Sequence, residues 1–246
     1  MSTRILRLWR GDAAGGELVD YEVEVVSGMV VLDAVLEIQR RLAPDLAVRW
    51  NCKAAKCGSC SAEVNGRPRL MCKMRLDHLS EDEPITVEPL RAFPIIRDLV
   101  TDVSWNYEVN KRIPPFSASP DAEWSIGQED VDRMSEFRKC IECFLCQDVC
   151  HVLRDHRLHE SYFGPRFLVR IASLEMHPLD TLDRTDLVAD DGGLGFCNIT
   201  KCCSEVCPEN IHITDNAIIP LKERVVDRRY DPLLRLLRRI AGHRRE

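Results

Sequence analysis

The loop at 52–60 reads Cys52-Lys-Ala-Ala-Lys-Cys57-Gly-Ser-Cys60, and Cys72 follows with eleven residues between. A cluster of two irons bridged by two sulfides needs four thiolates, two for each iron. Three would come from this one loop and the fourth from a neighbouring segment. The spacers include two alanines, a glycine and a serine, whose small size lets backbone N–H groups approach the sulfurs. This stretch therefore predicts a 2Fe–2S site.

The sequence around this loop predicts the fold of the N-terminal half. Apolar residues recur at helical spacing over 31–42, and Asn65-Gly66 is a hairpin signal between two short strands. Further strands are expected at 5–10, 21–25 and 85–87. Intervals of four, two and eleven residues between cysteines are typical of plant-type ferredoxins. We predict a small α+β domain over residues 1–110 with a mixed sheet and one 2Fe–2S cluster. Its ligands would be Cys52, Cys57, Cys60 and Cys72.

A second cysteine run, Cys140-Ile-Glu-Cys143-Phe-Leu-Cys146-Gln-Asp-Val-Cys150, has the spacing of bacterial ferredoxins. In two-cluster ferredoxins the fourth cysteine of such a run binds the other cluster, so a partner run is expected. It lies at 197–208, where the sequence is Cys197-Asn-Ile-Thr-Lys-Cys-Cys203-Ser-Glu-Val-Cys207-Pro. The crossed rule assigns a 4Fe–4S cluster to Cys140, Cys143, Cys146 and Cys207. It assigns the other cluster to Cys150, Cys197 and Cys203.

Thr200 stands at the second cysteine position of the partner run. One iron of that cluster then has no thiolate, which predicts a 3Fe–4S cluster on Cys150, Cys197 and Cys203. The alternative is a 4Fe–4S cluster whose fourth ligand is Cys202, water or Thr200 itself. The 3Fe interpretation is favoured because neighbouring side chains in a turn usually diverge, and Cys202 adjoins a ligand. Cys202 is interpreted as a small buried thiol.

The C-terminal half is predicted to be helical. Helices are expected at 130–137, with Asp130 as cap, at 162–176, and from 209 onward, and no strong strand signal appears. Pro114-Pro115 and residues 117–121 indicate a linker or long loop. We predict an all-α domain over residues 111–246 that binds the 4Fe–4S and 3Fe–4S clusters.

Composition narrows the class of protein. The chain has 246 residues, of which 45% are hydrophobic and 30% charged, and a net charge of −6, which argues against general nucleic-acid binding. Twelve cysteines in a disulfide framework would suit a short secreted chain, and this one has no visible secretory signal. Structural zinc would leave ligands unused in so dense a run. No apolar run is long enough to span a membrane, which predicts a cytoplasmic protein.

At these residues the chain resembles the iron–sulfur subunit of succinate dehydrogenase and fumarate reductase. The resemblance rests on the order of the cluster motifs, the missing cysteine at Thr200, the segment 95–102 and the Phe163-Gly-Pro165 helix start. It implies a β-grasp N-terminal domain followed by a helical, bacterial-ferredoxin-like domain. It also implies a hetero-oligomer with a flavoprotein subunit that holds FAD and a membrane anchor that meets quinone. The chain would be peripheral, on the cytoplasmic side of the bacterial cell membrane.

The resemblance predicts an electron relay within a succinate dehydrogenase. Flavin takes two electrons from succinate, and one-electron clusters must carry them off singly. By resemblance the 2Fe–2S cluster lies nearest the flavin and the 3Fe–4S cluster nearest the quinone, and the chain holds no catalytic residues of its own. The alternatives are a fumarate reductase that works in reverse and a multi-cluster carrier for another dehydrogenase.

Two features depart from the family or go beyond it. His151 follows Cys150 where many relatives have proline, and the tryptophan of their quinone site has no counterpart here, so no quinone-site residue is transferred. His151 is a candidate proton donor or an ordinary polar residue. The C-terminal segment 222–246 carries nine basic and four acidic residues. It is either an amphipathic helix that rests on anionic headgroups or the anchor, or a solvated terminal helix.

Overall fold

A computed structural model describes residues 2–232, and its N-terminal half is built around a mixed sheet. The strands are β1 (Ser2–Asp12), β2 (Gly15–Val25), β3 (Ser61–Val64), β4 (Arg67–Leu70), β5 (Ile85–Glu88), β6 (Ile95–Arg97) and β7 (Val100–Thr101). The helices are α1 (Val31–Arg41), α2 (Ser104–Lys111), α3 (Gln128–Ser135), α4 (Leu145–Asp148), α5 (His151–Arg154), α6 (Pro165–Glu175), α7 (Thr185–Ala189), α8 (Cys202–Glu205) and α9 (Ile219–Arg229).

Strand β1 organises the sheet. It pairs with β2 in an antiparallel hairpin that is longer than the sequence pattern predicted, and with β5 in parallel from Leu6 opposite Ile85. The order is β4-β3-β5-β1-β6-β7, with β2 also on β1. Parallel and antiparallel pairs in one sheet confirm the prediction of a mixed sheet in an α+β fold.

Helix α1 closes the core of this half. Its apolar residues fall at helical spacing, and the side chains of Val31, Leu32, Val35 and Ile38 are fully buried. Leu6 and Leu8 on the central strand belong to the same hydrophobic core. The helix ends at Arg41, as the sequence predicted to within a residue, and the chain then runs through an extended segment to the first cysteine loop.

The C-terminal half is helical, as predicted: residues 111–232 contain no strand. The three predicted helix starts were wrong. The helix expected from 209 onward is a π-helical turn over Ile213–Ile218 that leads into α9 at Ile219. Helix α3 begins at Gln128 rather than at Asp130, which lies in the first turn where its carboxylate favours the positive end of the helix. Helix α6 begins at Pro165 rather than at residue 162, because Gly164 has φ of +81° and cannot continue a right-handed helix.

Contacts join the two halves near the cysteine groups. The Lys73 ammonium donates to the Pro208 carbonyl at 2.7 Å, which ties the residue after Cys72 to the residue after Cys207. No helix in the described part of the chain is long and apolar enough to cross a membrane. Most of the predicted basic helix of the C-terminal segment, from residue 233 on, lies outside the described residues.

Candidate functional site: three groups of thiols

The first thiol set lies on the loop between α1 and β3, with Cys72 just after β4. Lys53 and Ala55 have φ of +54° and +56°, and this alternation turns backbone N–H groups toward one side of the loop. The N–H groups of Ala54 and Lys56 both donate to the Cys52 sulfur at 3.3 Å. The loop thus supplies sulfur ligands together with the N–H donors that stabilise anionic sulfur, which fits a cluster.

Two thiols of the first set, Cys57 and Cys60, differ in pKa. Burial opposes ionisation of Cys57, but hydrogen bonds from Ser59 and from the Cys52 backbone outweigh it and lower the Cys57 pKa to about 7. Burial, with the neighbouring thiols, raises the pKa of Cys60 to about 12. Cys57 therefore ionises more readily than Cys60, whose deprotonation is favoured by a strong cationic partner such as iron.

The second thiol set draws on two distant segments. Cys140, Cys143, Cys146 and Cys207 line one cavity whose other walls include Val169, Ile211 and Ile213. Burial raises the pKa of Cys143 to about 12 and also holds the pKa of Cys146 well above its ordinary value. Four sulfurs around an apolar space fit a cluster, because metal binding offsets the cost of deprotonating buried thiols. This is the set that the crossed rule predicted.

The third thiol set is Cys150, Cys197 and Cys203, which lie within electrostatic range of the buried Tyr162. Burial raises the pKa of Cys150 to about 12 and that of Cys203 to about 11. All twelve cysteines are free. Among residues 2–232, no group of three His, Cys, Asp or Glu side chains is placed to hold a single metal ion.

Cys202 differs from its predicted environment. It is the first residue of α8 and is partly exposed rather than buried. Its sulfur lies 3.2 Å from the Thr200 hydroxyl and within electrostatic range of Cys150 and Cys203. The interpretation of Cys202 as a buried thiol was therefore wrong, and it lies beside the position without a thiolate.

The backbone shows that the two cysteine runs are structural repeats. Glu142 and Phe144 have φ of +55° and +60°, and Ile199 and Lys201 have +63° and +62°. In each run a three-residue 3₁₀ turn precedes the first cysteine, and a four-residue helix, α4 or α8, follows the second left-handed residue. Thr200 therefore occupies the position that Cys143 has in the other run.

The first and second loops are in direct contact. A Cβ added to Gly58 would lie 2.6 Å from the Cys143 Cα, and the Ser61 hydroxyl donates to the Cys143 carbonyl at 2.9 Å. Only a residue without a side chain fits there. No spacer residue separates the loops of the two thiol sets at this point.

Substitution of Gly58 by alanine should therefore destabilise the protein by about 2–4 kcal/mol, from the left-handed φ of +69° and from overlap with Cys143. Urea unfolding followed by tryptophan fluorescence measures the loss. Gly66→Ala is the matched control, because Gly66 has φ of +71° and nothing within 4 Å of the added carbon. Equal losses in the two variants would show that the Gly58 contact is not tight.

Two buried carboxyl groups meet where the halves of the chain join. Glu63 on β3 contacts Asp148 at the end of α4, and Arg154 reaches Glu63 with a 2.8 Å contact. The Ala92 N–H donates to Asp148 at 2.8 Å. Burial, and then repulsion by Asp148, raise the pKa of Glu63 to about 8, although Arg154 and Arg91 oppose the shift. Burial raises the pKa of Asp148 as well. The sequence motifs gave no sign of this pair.

Because of the Glu63–Asp148 pair, we expect the free energy of unfolding of the protein to fall at alkaline pH. The unfolded Glu63 loses its proton near 4.5 and the folded one near 8, so its contribution is complete below 4.5 and is lost as pH rises through 8. Between about pH 6 and pH 9 the free energy of unfolding should fall by roughly 2–3 kcal/mol more in the wild type than in Glu63→Gln. Urea unfolding at both pH values measures this. Glu88→Gln, which loses a more exposed partner of Arg91, should keep the wild-type slope.

Two known protein domains match this chain, one in its N-terminal half and one in its C-terminal half. Residues 3–108 match the 2Fe-2S iron-sulfur cluster binding domain, and residues 136–211 match the 4Fe-4S dicluster domain. The fumarate reductase iron-sulfur subunit of Mycobacterium tuberculosis is 32% identical over 200 residues, which cover 78% of this chain and 79% of that protein. This chain belongs to the family of iron–sulfur subunits of succinate dehydrogenases and fumarate reductases.

Other members of this family of iron–sulfur subunits align over more of the chain. The succinate dehydrogenase iron-sulfur subunit of Paracoccus denitrificans is 27% identical over 237 residues, covering 92% of this chain and 90% of that one. A chain in the solved Mycobacterium smegmatis Sdh1 complex in the apo form is 63% identical, with a TM-score of 0.91 and coverage of 94% and 98%. The chain spans only 42% of an uncharacterized iron-sulfur protein of Methanococcus maripaludis.

Proposed function

We propose that this iron–sulfur subunit relays single electrons from a FAD-containing, succinate-oxidising subunit to quinone at a membrane anchor. The observation that carries the proposal is the continuous series of three thiol sets. Gly58 in the first loop touches Cys143 in the second set, and Cys146 in the second set lies within electrostatic range of Cys203 in the third. Iron–sulfur clusters on these sets would supply one-electron redox chemistry at short separations.

The proposed ligands follow the grouping of the thiols. The 2Fe–2S cluster would be held by Cys52, Cys57, Cys60 and Cys72, and the 4Fe–4S cluster by Cys140, Cys143, Cys146 and Cys207. The 3Fe–4S cluster would be held by Cys150, Cys197 and Cys203. The repeat geometry that puts Thr200 in the place of Cys143 supports the 3Fe assignment. The alternative is a 4Fe–4S cluster whose fourth ligand is Cys202, water or Thr200 itself, and the Cys202 sulfur lies beside the Thr200 hydroxyl.

The direction of electron flow and the partners are also proposals. The similarity to the Sdh1 chain supports succinate oxidation, and fumarate reduction is the same relay run backwards. The parallel pairing of β1 with β5 and the packing of α1 support a β-grasp fold for the N-terminal half. The subunit would sit peripherally on the cytoplasmic side of the membrane, between the flavoprotein and the anchor.

Low-temperature EPR of the anaerobically purified complex tests the proposal. An isotropic 3Fe–4S signal in the oxidised sample, together with two reduced-cluster signals, is expected. Succinate should reduce at least the third cluster when the flavoprotein is present, and removal of the flavoprotein should abolish that reduction. A protein with zinc and no visible absorbance, or clusters that succinate never reduces, would overturn it. Cys202→Ala tests whether Cys202 is the fourth ligand of a 4Fe–4S cluster, because only such a cluster would change in that variant.

A further inference from the structure

The hydroxyl groups of two buried side chains, Tyr162 and Thr214, are directed at sulfurs of the third thiol set. Tyr162 is buried to 1% exposure just before α6, and its side chain hydrogen-bonds to Cys197. A phenol carries one O–H and an iron-bound thiolate carries no proton, so the phenol is the donor between these two groups.

Thr214 makes the equivalent contact on the other side of the set. Its hydroxyl lies 3.5 Å from the Cys203 sulfur, and its side chain is 1% exposed. The Ser204 hydroxyl donates to the Thr214 oxygen at 3.3 Å, and the Thr214 N–H donates back to the Ser204 oxygen at 3.1 Å. Since Ser204 already supplies a proton to the Thr214 oxygen, the proton of Thr214 itself is free for the sulfur.

We propose that Tyr162 and Thr214 donate O–H···S hydrogen bonds to the Cys197 and Cys203 thiolates and thereby raise the reduction potential of the third cluster. This inference rests on the proposed function, because it requires a cluster on these thiols. Reduction adds negative charge that spreads onto the sulfurs, so a donor stabilises the reduced state more than the oxidised one. With two donors, the third cluster would be a better electron acceptor, which favours electron transfer toward the quinone end of the relay.

The second set receives a different kind of donor. The N–H of Ile211 donates to the Cys207 sulfur at 3.4 Å, and backbone groups near Leu145 approach Cys143. Backbone donors of this kind accompany each turn of a cysteine loop, so they act on every cluster. The hydroxyls of Tyr162 and Thr214 belong to side chains, so a substitution can add or remove them without changing the backbone of a cysteine loop. They are positioning residues that tune one cluster independently of its neighbours.

Redox titration of the holo complex, monitored by EPR, tests the proposal. Tyr162→Phe and Thr214→Val should each make the third cluster about tenfold harder to reduce, a shift of about 59 mV downward for a one-electron couple. The potentials of the 2Fe–2S and 4Fe–4S clusters in the same samples should stay at their wild-type values. Tyr230→Phe, which removes a hydroxyl from a side chain that is 71% exposed, is the matched control and should shift none of them.

Thr214→Ser separates hydrogen bonding from packing, because it keeps the hydroxyl and loses the methyl group. The expected potential is that of the wild type. A shift in Thr214→Ser as large as in Thr214→Val would overturn the proposal, and so would unchanged potentials in both Tyr162→Phe and Thr214→Val. If the complex with Tyr162→Phe does not assemble, the potentials of the third cluster in Thr214→Val and Thr214→Ser test the proposal. A wild-type complex without a third-cluster signal would be a failure of the proposed function instead.

Discussion

Replacement of Cys207 by alanine should remove the 4Fe–4S cluster and leave the third cluster in place, although Cys207 belongs to the third cysteine run in sequence. The reason is that its sulfur lines the same cavity as Cys140, Cys143 and Cys146. Cys150→Ala should do the opposite, since Cys150 lies with Cys197 and Cys203 around Tyr162. Either break in the relay should lower succinate-driven quinone reduction by at least about 100-fold.

EPR of the oxidised and reduced complex, with iron content, measures both variants. Cys202→Ala is the control that removes a neighbouring thiol outside the proposed ligand sets, and it should keep all three signals. Loss of the third-cluster signal in Cys207→Ala, with the 4Fe–4S signal retained, would show that each run binds its own cluster. The crossed assignment would then be wrong.

Substitution of Thr200 by cysteine should convert the third cluster from 3Fe–4S to 4Fe–4S. Thr200 occupies the position in its run that Cys143 occupies in the other run, with left-handed residues on both sides in each case. A thiol at position 200 would therefore be placed to bind a fourth iron. The added iron and thiolate lower the potential of this site, and each 59 mV makes electron transfer onto it about tenfold less favourable. Quinone reduction should slow accordingly, while succinate oxidation with an artificial acceptor at the flavoprotein continues.

Mössbauer and EPR spectra of the Thr200→Cys complex measure the conversion. The oxidised 3Fe–4S signal should disappear and a reduced 4Fe–4S signal should replace it. Thr200→Ser keeps a hydroxyl and adds no thiolate, so it should retain the wild-type spectrum. An unchanged spectrum in Thr200→Cys would contradict the assignment of this corner of the cluster.

Cysteine spacing carried most of the predictive power in this chain. Iron–sulfur loops have a fixed length between ligands because the cluster is rigid, so the sequence indicates which cysteines belong together, even across Cys150 and Cys207. The hairpin at Asn65-Gly66 and helix α1 were predicted for a similar reason, since a turn type or a helical period leaves a local pattern. The family matches cover a 2Fe-2S cluster binding domain at residues 3–108 and a 4Fe-4S dicluster domain at residues 136–211.

Features that depend on distant residues left no such pattern. Glu63 and Asp148 are 85 positions apart, and neither lies in a recognisable motif. Tyr162 was predicted only as the first residue of a helix, although its side chain hydrogen-bonds to Cys197. Tertiary packing decides these contacts, so a single sequence cannot reveal them. The burial of Cys202 was misjudged because the start of α8 was not predicted.

The two cysteine runs have left-handed residues at matching positions, which shows that the backbone conformation of the loop does not depend on the residue at the ligand position. Phe144 and Lys201 share a backbone conformation with unrelated side chains, and so do Glu142 and Ile199. The residue enclosed between them, Cys143 in one run and Thr200 in the other, can therefore change without disturbing either turn. If the proposed clusters occupy these loops, a single substitution at this position would change the number of irons at one site. The order of reduction potentials along the chain would then change without any change in the fold.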